Sequence, residues 1–335
     1  MISIRKIIWL IALILLLLAI PFLVPSSLIP MNTDAEAEAA GFYTMEDLPH
    51  FEHVDLENPN PEPLALGDKG PYAPKADHYL PDRGGYVDST TYIQVEERKI
   101  RNTLIYFTYI QIADPSQMKT ATYKPYPSTA AALSNKIAKG RNTIVAMNGD
   151  WFANKDNKGR GTIYRNGEFL REKESGIYDA LIIDMQGDFH IIPHAVPEDF
   201  APYEGNIMHS FCFPCALVID GEVMPFDKKD PDTDSLLAHH IEGWKHAQRS
   251  VFCQLDHLTY LIITSEGPDQ SKGGGLTIPE IAQLACDMGA QQAFNLDGGS
   301  SAALLLEGTR VNCTKTPLPN PRQIGDIIFF VTAEP

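Results

Sequence analysis

From about Thr91 to the C-terminus, short apolar runs recur at intervals that suit strands: Leu104–Ile112, Thr143–Met147, Ala180–Ile183, Phe189–Ile192, Ala216–Ile219, Leu258–Ile263, Ala302–Leu306 and Asp326–Val331. Runs of this length, rich in β-branched and aromatic residues and bounded by turn residues, predict strands. Asn166-Gly167 and Asp220-Gly221 supply two successive positive-φ residues for tight hairpins, and Glu307-Gly308 is a weaker form of the same signal. Helical periodicity is confined to two stretches. The first is expected to start at a Ser128 cap, run through Ala132, Leu133 and Ile137, and stop at Gly140. The second opens on the capping box Thr277-Ile-Pro-Glu280, keeps Ile278, Ile281, Leu284, Ala285 and Met288 on one face, and ends at Gly289. Many strands and two main helices predict a strand-rich α+β fold, one domain over residues 91–335.

The two helices share a sequel. After Gly140 come an apolar strand and Asn148-Gly149-Asp150; after Gly289 come an apolar strand and Asn295-Leu296-Asp297. Strand ends of this kind are common ligand sites, so the two loops are candidate parts of a site, whether or not they meet.

The N-terminal third has a different texture. Arg5 and Lys6 precede an uncharged run from Ile7 to Val24 that is long enough for a membrane anchor or a signal peptide. The small residues around Ala35–Ala40 lie well past that run, which favours an uncleaved anchor over residues 1–30. Basic residues before the run and acidic sequence after it place the rest of the chain outside the cytoplasm. Residues 31–90 are acid-rich and then proline-rich, without sustained apolar periodicity, and read as a flexible stalk.

A net charge of −16 argues against nucleic acid as a partner. An anionic ligand would need a local arginine, a backbone N–H nest or a metal ion. Cys212 and Cys215 form a lone C-x-x-C with no second ligand pair at zinc spacing, so buried thiols are the expected reading.

The densest chemistry lies in Asn295-Leu-Asp-Gly-Gly-Ser-Ser301. Asp297 stands where an apolar strand gives way to Gly298, Gly299, Ser300 and Ser301, which offer backbone N–H groups and hydroxyls to a ligand. A plain Asp-Gly turn is the competing explanation. Asn148-Gly-Asp-Trp-Phe152 adds Asp150 and two aromatic rings suited to a sugar face. Arg249 could grip a phosphate bidentately, and Glu266 ends a strand as a third carboxylate. No G-x-S-x-G or H-E-x-x-H motif supports a serine hydrolase or a zinc protease.

These residues resemble the phosphodiester glycosidase family, relatives of the mannose-6-phosphate uncovering enzyme. The resemblance rests on Ala146-Met-Asn-Gly-Asp-Trp-Phe152, Leu217-Val-Ile-Asp-Gly-Glu222, Gln248-Arg-Ser250, Gly275-Leu-Thr-Ile-Pro-Glu280, Phe294-Asn-Leu-Asp-Gly-Gly-Ser-Ser301 and Arg322, in the family's order. It implies hydrolysis of the sugar C1–O bond in a sugar-1-phosphodiester on a cell-surface or exported glycan. Asp297 would be nucleophile, base or oxocarbenium stabiliser. Arg249 and the Gly298–Gly299 backbone would hold the phosphate, with Arg322 as a further cation. Asn148, Asp150, Asn295 and Ser301 would bind sugar or support the carboxylates, and Glu266 would be a second carboxylate or a ligand for a calcium-like divalent cation. Two alternatives stay open: a non-catalytic wall-glycan or exopolysaccharide binder, and a metal-dependent phosphodiesterase built on Asp150, Glu266 and Asp297.

Overall fold

The computed structural model describes residues 42–150, 161–172, 177–230, 232, 233, 237, 241–267, 274–312 and 321–335. In chain order its strands are β1 (Gly85–Val87), β2 (Thr91–Ile100), β3 (Thr103–Ile112), β4 (Met118–Thr122), β5 (Val145–Asn148), β6 (Ile163–Arg165), β7 (Glu168–Arg171), β8 (Asp179–Asp184), β9 (Phe189–Ile192), β10 (Ile207–Phe213), β11 (Ala216–Ile219), β12 (Glu222–Val223), β13 (Ser250–Asp256), β14 (Thr259–Ser265), β15 (Gln292–Asn295), β16 (Leu304–Leu306), β17 (Thr309–Arg310) and β18 (Asp326–Phe330). The principal helices are α1 (Ser134–Ala138) and α2 (Ile278–Asp287).

One eight-stranded sheet runs β1-β2-β3-β14-β13-β15-β11-β12, and a five-stranded sheet runs β17-β16-β5-β18-β4. Every pairing in both is antiparallel. Because side chains alternate along a strand, each sheet buries two apolar faces. Tyr106, Ile110, Phe252, Tyr260, Ile262 and Phe294 of the large sheet meet Met147, Leu304, Ile328 and Phe330 of the smaller one. The other face of the large sheet, with Phe107, Val251, Cys253 and Ile263, is covered by Ile278, Ile281, Leu284 and Ala285 of α2. Ala146, Leu305, Ile327 and Phe329 turn outward against Ile137 and Ala138 of α1. The layers are therefore helix, sheet, sheet, helix.

The three hairpins predicted from their turn dipeptides are present, between β6 and β7, β11 and β12, and β16 and β17. Asn166, Asp220 and Glu307 each have φ between 51° and 53°, and the glycine that follows each is also positive. The α2 capping box forms as expected: the Thr277 hydroxyl accepts from the Glu280 N–H, and the Glu280 carboxylate accepts from the Thr277 N–H at 2.8 Å. The first helix is shorter than expected. Ala132 pairs with Ile324 as a β-bridge, so α1 starts only at Ser134. Gly140 still ends it at φ 78°.

The stalk expectation is corrected from Phe42 onward. Residues 42–90 are laid along the domain. Phe42 and Leu48 enter the α2-side core, and Phe51 stacks on Tyr109 at 5.1 Å. The Val54 and Leu64 N–H groups donate to Gln111 and Ser116 side chains. Prolines here suppress regular structure without releasing the chain, because its scattered apolar residues have pockets to fill. Phe42 is 4% exposed, and Arg101 lies 4.6 Å over its ring. Phe42→Ala should therefore lower unfolding stability by about 3 kcal/mol, read as a shift in urea midpoint, whereas Met45→Ala, at an exposed position, should leave it unchanged.

The apolar run Ile7–Val24, and Trp151 and Phe152, lie outside the described residues. Among the described residues no helix is long and apolar enough to cross a membrane.

Candidate functional site

Strand direction decides where the site lies. β5 pairs antiparallel with β18, which brings Asn148 beside Ile327 and leaves Asp326 at the same end. In the facing sheet, β15 pairs antiparallel with β13, so the end of β15 emerges beside the start of β13. The two Asn-x-Asp loops meet at that end. Asn148 is fully buried and ties them together. Its amide Nδ2 donates to the Asp297 carbonyl at 2.7 Å, and its Oδ1 accepts from the Ala303 N–H at 2.9 Å. The Asp297 N–H donates to the Gly149 carbonyl at 3.4 Å. The duplicated helix–strand–Asn-x-Asp pattern is thus one structural unit in space.

At the surface of this unit stands a carboxylate with a cation. Arg322 Nη1 lies 3.5 Å from Asp297 Oδ2, and the side chains are 54% and 11% exposed respectively. The Arg322 N–H donates to the Ser300 carbonyl, which fixes the arginine's backbone over the loop. Two buried polar atoms within four residues of Asp297, Asn295 Oδ1 and Ser301 Oγ, have no hydrogen-bond partner among the described residues. Leaving such atoms unpaired costs roughly 1–3 kcal/mol each, which a bound hydroxyl or water would relieve. Asn295 Nδ2 is held by the Pro214 carbonyl at 2.6 Å, so its Oδ1 has a fixed position.

The glycines after Asp297 serve close packing. A Cβ on Gly298 would lie 2.7 Å from the Gln248 carbonyl oxygen. That same carbonyl accepts from the Gly299 N–H at 2.9 Å, so the Gly299 N–H is not free for a phosphate. Gln248 also lies against the chain after Glu266, since a Cβ on Gly267 would come 2.5 Å from Gln248 Cγ. Glu266 is buried, its N–H donating to the Leu104 carbonyl.

Arg249 departs from the expected role. It is 3% exposed, and its guanidinium donates to the carbonyls of Leu276, Ile241, Glu242 and Lys245. Burial pulls its pKa down to about 10, which leaves it charged at neutral pH. A guanidinium bound to four carbonyls stitches the 241–245 segment to the start of α2. Among the described residues, the cation that pairs with Asp297 is Arg322.

Asp150 is likewise engaged. Its Oδ2 accepts from the Cys212 N–H at 3.1 Å, and its Oδ1 faces Arg165 Nη2 at 3.3 Å. Arg165 also donates twice to Asp326 Oδ2, at 2.7 and 3.1 Å. Burial, with Asp150 nearby, raises Asp326 to about 7 against the opposing pull of Arg165. This buried trio supports the floor of the site: the Asp326 carbonyl accepts from the Gly149 N–H, and a Cβ on Gly149 would strike the Asp326 carboxylate. Among the described residues, Asp150, Glu266 and Asp297 do not bring three ligand oxygens within reach of one ion; His78, Asp88 and Glu334, elsewhere in the chain, are the group that does. The three-carboxylate metal site, one of the two alternatives left open by the sequence, is therefore not assembled among the described residues. Cys212 and Cys215 are buried free thiols, as the lone C-x-x-C suggests.

Sequence reasoning missed Gln248, Arg165 and Asp326. Gln248 acts through its carbonyl, which carries no residue-type signal. Arg165 directly precedes the Asn166-Gly167 turn and Asp326 heads an apolar strand; a charge placed at the mouth of a buried strand was the available clue.

The family model described as phosphodiester glycosidase matches residues 141–331, a span that holds every residue named above as a candidate. No curated protein matches the sequence. Among solved structures, the fold is similar to the zebrafish N-acetylglucosamine-1-phosphodiester alpha-N-acetylglucosaminidase catalytic domain auto-inhibited by its pro-peptide. That likeness has a TM-score of 0.58 at 18% identity and covers 72% of this chain and 83% of that one. A hypothetical protein from Synechocystis aligns at TM-score 0.49 and 16% identity, over 72% of this chain and 62% of that one.

Proposed function

The chain belongs to the phosphodiester glycosidase family, and from that premise we propose that it hydrolyses the C1–O bond of a sugar-1-phosphodiester, with Asp297 at the anomeric carbon and Arg322 against the phosphate. The observation that carries this reading is the Asp297–Arg322 pair, a largely covered carboxylate beside an exposed guanidinium, with Asn295 Oδ1 and Ser301 Oγ in the same segment unpartnered among the described residues.

The chemistry asks for little more. The C1–O bond breaks, water supplies the new C1–OH, and the phosphate monoester leaves with the bonding electrons. A phosphate monoester has a second pKa near 6 and departs as an anion without a strong general acid. Positive charge develops at C1, where the Asp297 carboxylate stabilises it or adds to it. Arg322 neutralises the phosphate before and after cleavage. Asn295 Oδ1 and Ser301 Oγ take sugar hydroxyls, and Asn148 holds the Asp297 backbone in register. Gly298 and Gly299 supply the tight turn that presents Asp297, Asp150 braces the floor through Arg165, and Glu266 is a supporting carboxylate. Arg5, Lys6 and the run Ile7–Val24 support export of the domain, where its substrate would be a surface or secreted glycan.

Incubated with UDP-N-acetylglucosamine the protein should release free N-acetylglucosamine and UDP, and with simple alkyl sugar-1-phosphodiesters free reducing sugar and the alkyl phosphate monoester, with or without a chelator. Tight binding of these compounds without turnover would instead mark a glycan binder and refute the hydrolase reading.

A further inference from the structure

A cleft of about 490 Å³ lies along β4 and the β6–β7 hairpin, away from Asp297 and Arg322. Its volume falls within the range of small-ligand sites, roughly 300–1,000 Å³. Three of the seven exposed large apolar side chains among the described residues line it: Leu66, Tyr126 and Phe169. Phe169 is 51% exposed and is held upright by an edge contact with Tyr164 at 5.3 Å. Exposed aromatic rings gathered in one polar-walled cleft mark a binding surface.

The groups around those rings narrow the occupant. Both arginines of the cleft are already engaged. Arg165 is bound to Asp150 and Asp326, and Arg141 donates to the Ile137 and Thr122 carbonyls and pairs with Asp68 at 3.1 Å. With no uncommitted cation among the described residues that line it and with Glu168 on its wall, the cleft is a poor anion site. A peptide adding to the edge strand β4 is blocked as well. Asn166 takes both the N–H and the carbonyl of Thr120, and Arg141 takes the carbonyl of Thr122. Uncharged sugars fit: they stack a C–H face on an aromatic ring and bond through hydroxyls. Arg165 relates the cleft to the candidate site through the interior, because it lines the cleft and pairs with buried Asp150, two residues from the Asn148 that holds Asp297.

We infer that this cleft binds neutral saccharide units of a glycan, with Phe169 and Tyr126 as stacking platforms; only its assignment to the chain of the catalytic substrate rests on the hydrolase reading above. The test is affinity electrophoresis in native gels cast with dextran, mannan, β-glucan or galactan, and with polygalacturonate as the charged contrast. Wild type should be retarded by at least one neutral polymer. The double variant Phe169→Ala/Tyr126→Ala should bind at least tenfold more weakly at an unchanged melting temperature and unchanged turnover of a small diester. Asp297→Asn should keep full retardation, so that a failed hydrolase reading leaves this result standing. No retardation in any neutral gel, retardation by the charged polymer alone, equal retardation of the double variant, or loss of binding in Asp297→Asn would each overturn the inference.

Discussion

Asp297→Asn is expected to fold and melt like the wild type while its kcat for sugar release falls about a thousandfold. A thousandfold corresponds to roughly 4 kcal/mol of lost transition-state stabilisation, a reasonable share for the one carboxylate opposite a developing oxocarbenium ion. Asparagine keeps the shape and the backbone bonds to Asn148 and Gly149, so folding has no reason to suffer. It removes the negative charge that the anomeric carbon needs, whether the carboxylate attacks, activates water or only stabilises. Kinetics beside a thermal melt separate these effects. A variant turning over within tenfold of wild type would take Asp297 out of the chemistry.

Arg322→Ala should cost about a hundredfold in kcat/KM, near 2.7 kcal/mol, in keeping with the loss of a charge-assisted contact to phosphate. The side chain is more than half exposed, so its melting temperature should not move. Lysine at this position should recover part of the loss, because it restores charge without the planar fork. Arg249 supplies the contrast. Arg249→Met leaves four carbonyls of the 241–245 and Leu276 region without their donor, and its defect should appear first as lost stability. Should Arg249→Met fold normally and lose affinity for the diester while Arg322→Ala does not, the two assignments must be exchanged.

The readable parts of this chain were those set by local chemistry. Asn166-Gly167 and Asp220-Gly221 must take positive φ wherever they stand, and Thr277 with Glu280 closes a helix start within four residues. Asn148 and Asp297 were legible as candidates because each ends an apolar strand after a glycine-stopped helix. Less local facts escaped. Strand β2 carries four successive charged residues, Glu96, Glu97, Arg98 and Lys99, that are half-buried or exposed in alternation, and its turn to β3 uses Arg101 at φ 50° in place of a glycine, so no apolar run announced it. Arg249 looks like a ligand-binding arginine in sequence because nothing nearby reveals the four carbonyls that converge on it. The proline-rich stretch before Thr91 looked free because its partners, Tyr109, Gln111 and Ser116, come later in the chain.

The central claim is that water enters at carbon. Hydrolysis of a sugar-1-phosphodiester in ¹⁸O-labelled water, followed by rapid mass analysis of both products, decides it. Label in the C1 hydroxyl of the released sugar, with unlabelled phosphate, is the predicted outcome. Label in the phosphate would mean that the P–O bond is cut and that Asp297 does not serve an anomeric carbon.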